Sequence, residues 1–234
     1  MSLKAKIAAG AATFAMAGGG LGTVGTLSAS AATPPCGTEC VAISTLKFGP
    51  SFILETSQGT AATGQEVILS IASNGDPGED FVANNLGLVR KLYTMGRQRL
   101  ITAQFAKAYA NDVAWEYEYA PLGVPSHLCA STWPGQVAQP GYEVRLEPCG
   151  EYSNSIWVSA PTETYNKLQY GVAINGATNN FSDPLVLTYP AGYPTDTPSP
   201  TVIVEPENAY VGGTVFDDQQ WTYSTGTVNS NPPR

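Results

Sequence analysis

The chain has 234 residues, a formal net charge of −8, a single histidine and 13% charged residues. That acidity argues against nucleic acid and anionic membrane surfaces as partners, because their phosphates repel it. The even count of four cysteines and the scarcity of histidine argue for disulfides and against a zinc site.

The first element is a targeting segment. Lys4 and Lys6 precede a Gly- and Ala-rich apolar stretch from Ile7 to Leu27, and Ala29-Ser30-Ala31 fits the small-x-small cleavage rule. Residues 1–31 are therefore read as a secretory signal peptide cut after Ala31, and the protein as secreted. A transmembrane anchor is the competing reading, which the poverty in Leu and Ile disfavours. No later window approaches the run of about 20 apolar residues that a span requires, so no stable membrane insertion is expected. Cleavage removes two lysines and no acid, which takes the charge from −8 to −10. About 200 residues remain, enough for one all-β domain.

Residues 32–40 are Pro- and Gly-rich and read as an extended arm. Short β-rich runs then dominate residues 41–228. They are Phe52–Leu54, Glu66–Ile71, Leu86–Tyr93, Leu100–Phe105, Ala114–Tyr119, Gly141–Leu146, Ile156–Val158, Lys167–Ile174, Pro184–Tyr189, Thr201–Val204 and Gln220–Ser224. Turn residues punctuate them, as in Ser73-Asn74-Gly75-Asp76-Pro77-Gly78 and Asn175-Gly176-Ala177. Only Arg99 to Trp115 is compatible with a helix. It lacks clean 3.6 periodicity, and Ile101, Phe105 and Tyr109 suit either structure. Residues 229–234 read as a disordered tail.

One pattern occurs three times. Val67-Ile68-Leu69 is followed by Asp80-Phe81-Val82, Val144-Arg145-Leu146 by Ser155-Ile156-Trp157, and Val202-Ile203-Val204 by Gln219-Gln220-Trp221. An apolar run precedes each, with Ile53 to Val67, Leu128 to Val144 and Val186 to Val202 separated by 14, 16 and 16 residues. A further strand is expected after each aromatic landmark, at Val89–Tyr93, Lys167–Tyr170 and near Gly226–Val228. Four strands used three times specify an all-β β-trefoil, a six-stranded barrel capped by three hairpins. One repeat cannot bury its inner face alone, whereas three close the sheet and remove its edges. The stretch Thr94–Tyr119 reads as an irregular insertion. Four cysteines allow three connectivities, and position favours Cys36–Cys40 and Cys129–Cys149. Closing the longer loop stabilises the fold by roughly 3 kcal/mol.

At Gln219-Gln220-Trp221 the chain resembles the ricin-B-type lectin domains, in which Gln-x-Trp closes a trefoil repeat. Cys129 and Cys149 resemble that family's disulfide within one repeat. The resemblance spans roughly Val41 to Val228, and the overall layout is similar to secreted actinobacterial proteins. It implies that Trp157, Trp221 and, in the first repeat, Phe81 are core residues. It also implies a shallow sugar pocket per repeat, with an Asp accepting from hydroxyls, an aromatic face and a polar residue before the Gln-x-Trp. All three elements are placed only in the third repeat, by Asp196, Tyr193, Asp218 and Gln219. Tyr193-Pro194-Thr195-Asp196 also reads as a plain Pro-rich turn. In the second repeat Trp133 occupies the matching loop without an Asp.

Catalysis finds no constellation. Ser126 adjoins His127, and strand neighbours point to opposite faces. Gly-x-Ser-x-Gly and phosphate-cradling loops are absent. Asp217, Asp218, Glu205 and Glu207 read as solvated acids, and Asp76, Glu79 and Asp80 as a turn rather than a calcium loop. No enzyme, metal or cofactor is expected. The expectation is a noncatalytic lectin-like module whose partner is a carbohydrate. The alternatives are an adaptor for another secreted protein in an antagonistic complex, or a protease inhibitor using the loop Gly192–Ser199.

Overall fold

A computed structural model describes residues 40–49, 52–73, 76–94, 100–165, 168–190, 200–207 and 217–225, all within the compact unit Ala31–Arg234. The signal segment, the arm up to residue 39 with Cys36, the loop 192–199, the strand expected near Gly226–Val228 and the tail 229–234 lie outside the described residues.

Repeat one contributes β1 (Cys40–Thr45), β2 (Phe52–Thr56), β3 (Val67–Ile71) and β4 (Phe81–Leu88). Repeat two contributes β5 (Val113–Tyr119), β6 (Leu128–Ser131), β7 (Tyr142–Glu143), β8 (Arg145–Pro148) and β9 (Trp157–Tyr165). Repeat three contributes β10 (Leu168–Asn175), β11 (Leu185–Thr188), β12 (Ile203–Pro206) and β13 (Trp221–Thr225). Two short helices, α1 (Val89–Thr94) and α2 (Ala103–Ala108), stand between β4 and β5.

The first and last strands of each repeat form the barrel. β1 pairs β4, β4 pairs β5, β5 pairs β9, β9 pairs β10, β10 pairs β13 and β13 returns to β1, all antiparallel. The ring is closed, so these six strands present no free edge. The middle strands form three hairpins, β2–β3, β6–β8 and β11–β12. They meet in a ring of backbone hydrogen bonds. Val67 N donates to Val144 O at 3.0 Å, Val144 N to Val202 O at 2.8 Å, and Val202 N to Val67 O at 2.9 Å. These are the three valines of the repeated motif, each 0% exposed. Three equivalent donors closing on three equivalent acceptors are the mark of a pseudo-threefold axis. The fold is a β-trefoil.

Each aromatic landmark opens a barrel strand. Trp157 and Trp221 are buried, and their Nε1 atoms donate to Ala130 O and Leu187 O, both at 2.8 Å. The indole thereby buries its ring and satisfies its one donor. Phe81 is equally buried and carries no donor to satisfy. A single 3₁₀ turn precedes each: Pro77–Glu79, Ser153–Ser155 and Asp217–Gln219. The disulfide Cys129–Cys149 is formed, tying β6 to the end of β8.

Three expectations need correction. The repeat has four main strands, but the aromatic residue starts the last of them, so Leu168–Tyr170 belongs to the first strand of repeat three. Val89–Tyr93 is helical rather than extended. A bulge between Asn85 and Gly87, whose φ is +84°, shifts the register, the ladder ends two pairs later at Leu88, and Val89 and Leu92 then bury one face in a second apolar cluster. Leu100–Phe105 is not a strand, because Thr102 Oγ1 accepts from Phe105 N at 3.1 Å and caps α2, with Ile101 and Ala106 buried on either side of the cap. The insertion ends before β5, whose residues from Val113 onward are barrel.

Candidate binding cleft

The lectin-like set of repeat three divides. Tyr193 and Asp196 lie outside the described residues. Asp218 lies at the surface, where its Oδ2 meets Lys47 Nζ at 3.3 Å. Gln219 is only 1% exposed, and its Nε2 donates to Thr188 Oγ1 at 3.2 Å and Pro206 O at 2.9 Å. The structure thus places Gln219 inside the fold rather than in a pocket wall. Trp133 is exposed. His127 projects into solvent beside Glu118, with Nδ1 to Oε1 at 3.6 Å. Ser126 Oγ donates to the Tyr119 carbonyl, and among the described residues no serine hydroxyl is hydrogen-bonded to His127.

A concave site occurs elsewhere. Its volume is about 350 Å³, and it lies where the insertion meets repeats two and three. Thr102 and Gln104 reach it from the start of α2. Gly135, Gln136 and Val137 come from the loop after β6, and Tyr152 and Asn154 from the turn before β9. Thr178, Asn179 and Phe181 come from the loop after β10.

A lattice of buried amides fixes these walls. Asn154 Nδ2 donates to Thr132 Oγ1 and to Gln136 O, both at 2.9 Å, while its Oδ1 accepts from Gly135 N at 3.1 Å. Asn175 Nδ2 donates to Asn154 O at 2.9 Å, and its Oδ1 accepts from Ala177 N at 3.0 Å. Both asparagines are buried. A buried amide this fully engaged holds one geometry, because any rearrangement strands a donor or acceptor in the dry interior. Gly176 permits the close approach of the two loops, since a Cβ there would stand 2.5 Å from Ser153 O. From the other side Phe105, fully buried, packs its ring against Phe181 at 6.3 Å and so seats α2 against the loop after β10.

The lining is mixed and carries no charge. It holds amides, hydroxyls, the rings of Tyr152 and Phe181, and the small or aliphatic Gly135, Val137, Gly176 and Ala177, and no Asp, Glu, Lys, Arg, His or Cys. Tyr152 is 42% exposed. Its ring lies against Gly135, where φ is +71° and a Cβ would come within 3.2 Å of Cε1. Such a site offers hydrogen bonds in both directions and a flat face, and it offers no general acid, base or charged nucleophile.

No family model matches the sequence, and no curated protein matches it. Among solved structures the fold is similar to a designed threefold-symmetric protein, ThreeFoil, with a TM-score of 0.49 and 14% identity over 78% of this chain and 96% of that one. Among the described residues no three of His, Cys, Asp and Glu are grouped to hold a metal, and no helix is long and apolar enough to cross a membrane.

Proposed function

We propose that this protein is a secreted, noncatalytic binding module and that the cleft between α2, Tyr152 and the loop after β10 takes a carbohydrate. The supporting observation is the lining: amide and hydroxyl groups beside an exposed tyrosine ring, with no ionisable acid or base besides that phenol. A sugar presents hydroxyls at its edge and C–H groups on its face, which suits such a wall. The signal-peptide pattern of residues 1–31 and the formed disulfide suit an extracellular setting. The resemblance of Gln219-Gln220-Trp221 to ricin-B-type lectins points the same way, although the cleft uses none of those residues.

Retention on immobilised polysaccharides tests this reading. Wild type is expected to be retarded on at least one matrix and Tyr152→Ala to elute with the void, both with the same melting temperature. Equal retention of the two proteins would remove the cleft from the account.

The adaptor reading is favoured by one observation. The loop between β5 and β6 holds Leu122 and Val124 61% and 64% exposed. Leu122 and His127 sit at φ +56° and +59°, unusual for residues with a side chain, and hydrogen bonds from their backbone N–H groups to Asp80 and Glu118 hold them there. Co-purification with a second secreted protein that is lost in Leu122→Asp would support it.

A further inference from the structure

In each repeat the last residue of the 3₁₀ turn before the barrel aromatic points inward: Glu79, Ser155 and Gln219 are all buried. In repeat three the slot holds a neutral amide. In repeat two it holds Ser155, whose short hydroxyl donates to Glu116 Oε1 at 3.1 Å, and that carboxylate also accepts from Gly150 N at 2.8 Å. In repeat one it holds a glutamate that is 2% exposed.

The surroundings of Glu79 suit a neutral group. Its Oε1 accepts from Ser73 N at 2.6 Å, and its Oε2 has no partner. The charges acting on it are both negative, Glu55 on β2 and Asp76 in its own turn. Both crowd Gly78, where a Cβ would stand 3.0 Å from Glu55 Cγ and 3.1 Å from Asp76 Oδ1. Asp80, the next residue, is also buried, with Oδ2 accepting from Leu122 N at 2.8 Å and Oδ1 unpartnered. Across from them β5 supplies Tyr119, buried with an unpartnered hydroxyl, and the turn Pro121–Gly123 supplies no titratable group. Among the described residues no lysine or arginine is ion-paired to Glu79 or Asp80.

We infer that Glu79 is held in the folded protein as a neutral carboxylic acid, the stand-in for Gln219, and that loss of its proton opens repeat one ahead of the other two. A carboxylate cannot stay ionised in a dry slot facing two other acids without a cation, so the ionised form is relieved by exposing the turn to water. Burial first, then the neighbouring acids, push Glu79 up to about 8 against the opposing hydrogen bonds from Ser73. Opening the turn returns it to the ordinary 4.5, so between those values each added pH unit favours the open form by about tenfold. Because Asp80 carries the bond to Leu122 N, and its carbonyl accepts from Ala120 N at 2.8 Å, the same opening frees the exposed loop between β5 and β6.

Hydrogen exchange on the full chain at pH 5.5, 6.5 and 7.5, corrected for intrinsic rates, tests this against Glu79→Gln. Peptides covering 76–81 and 120–127 should open about tenfold more per pH unit in wild type than in the variant. Peptides covering 144–158 and 217–223 should behave alike in both. Parallel slopes in the two proteins, or an equal response in repeat three, overturns the inference. If Glu79→Gln does not fold, carbon NMR of the wild-type Glu79 carboxyl decides. A midpoint near 8 supports the inference, and one near 4.5 overturns it.

Discussion

Repeats one and three answer the same structural demand with different chemistry. Repeat three seats an amide, Gln219, behind an indole, Trp221, and both polar groups are bonded to backbone carbonyls of the hairpin. Repeat one seats a carboxyl, Glu79, behind a phenyl, Phe81, and leaves Oε2 without a partner. The lesson is that the trefoil requires a buried group of a given size at this point, and its polarity sets how firmly that repeat is held.

The sharpest contrast is in the aromatic residues. Trp221→Ala should destabilise the protein by about 3–5 kcal/mol, through the cavity it leaves and the unpaired Leu187 carbonyl. Phe81→Ala should fall at the lower end of that range, because no hydrogen bond is lost. Denaturant unfolding measures both, and a larger loss from Phe81 would reverse the ranking of the repeats.

Next comes pH. Between 4.5 and about 8 the folded chain holds the Glu79 proton and the unfolded chain does not. Stability therefore falls as pH rises through that window and is level above it, by on the order of 5 kcal/mol at most. Glu79→Gln should remove this component. Gln219→Glu should import a similar slope into repeat three. Melting curves from pH 5 to 9 read both, and a Gln219→Glu variant as insensitive to pH as wild-type repeat three would break the equivalence of the two slots.

Repeat two carries its own reinforcement. Replacing Cys129 and Cys149 by serine should lower stability by about 3 kcal/mol. That loss should be the same at pH 5.5 and 7.5, since no charge in repeat one depends on it.

The smallest structural effect is expected at the cleft. Tyr152→Ala should change stability by less than about 0.5 kcal/mol, because the side chain is exposed and its removal encloses no cavity in the core. It should abolish retention on a polysaccharide matrix.

Much of the barrel was legible in the sequence. Val67, Val144 and Val202 stand at similar distances from the apolar runs before them because the three are arranged around the pseudo-threefold axis, and the motif around them is what the axis selects. Trp157 and Trp221 were legible because a large ring is the economical filler for a barrel end. The phase of the repeat was not, since nothing local tells whether an aromatic residue ends a hairpin or opens the next barrel strand. α2 lies within the helix-compatible stretch Arg99 to Trp115, but six residues are too few for a periodic signal and Thr102 alone marks its start. The cleft escaped for a different reason. Its walls come from Thr102, Gln104, residues 135–137, 152–154 and 176–179, and Phe181, and Asn154 and Asn175 gain meaning only from the partners that tertiary packing brings to them. Gln219 reads as a ligand residue from its resemblance to a lectin motif, whereas its side chain is bonded to Thr188 and Pro206.

The carbohydrate cleft is tested most directly by titrating isotopically labelled protein with whichever oligosaccharide a polysaccharide screen retains, and following the side-chain amides by NMR. Saturable shifts at Gln104, Gln136 and Asn179, with the Asn180 amide unmoved, are the expected result. Shifts confined to other surfaces, or none with any sugar offered to the folded protein, would contradict it.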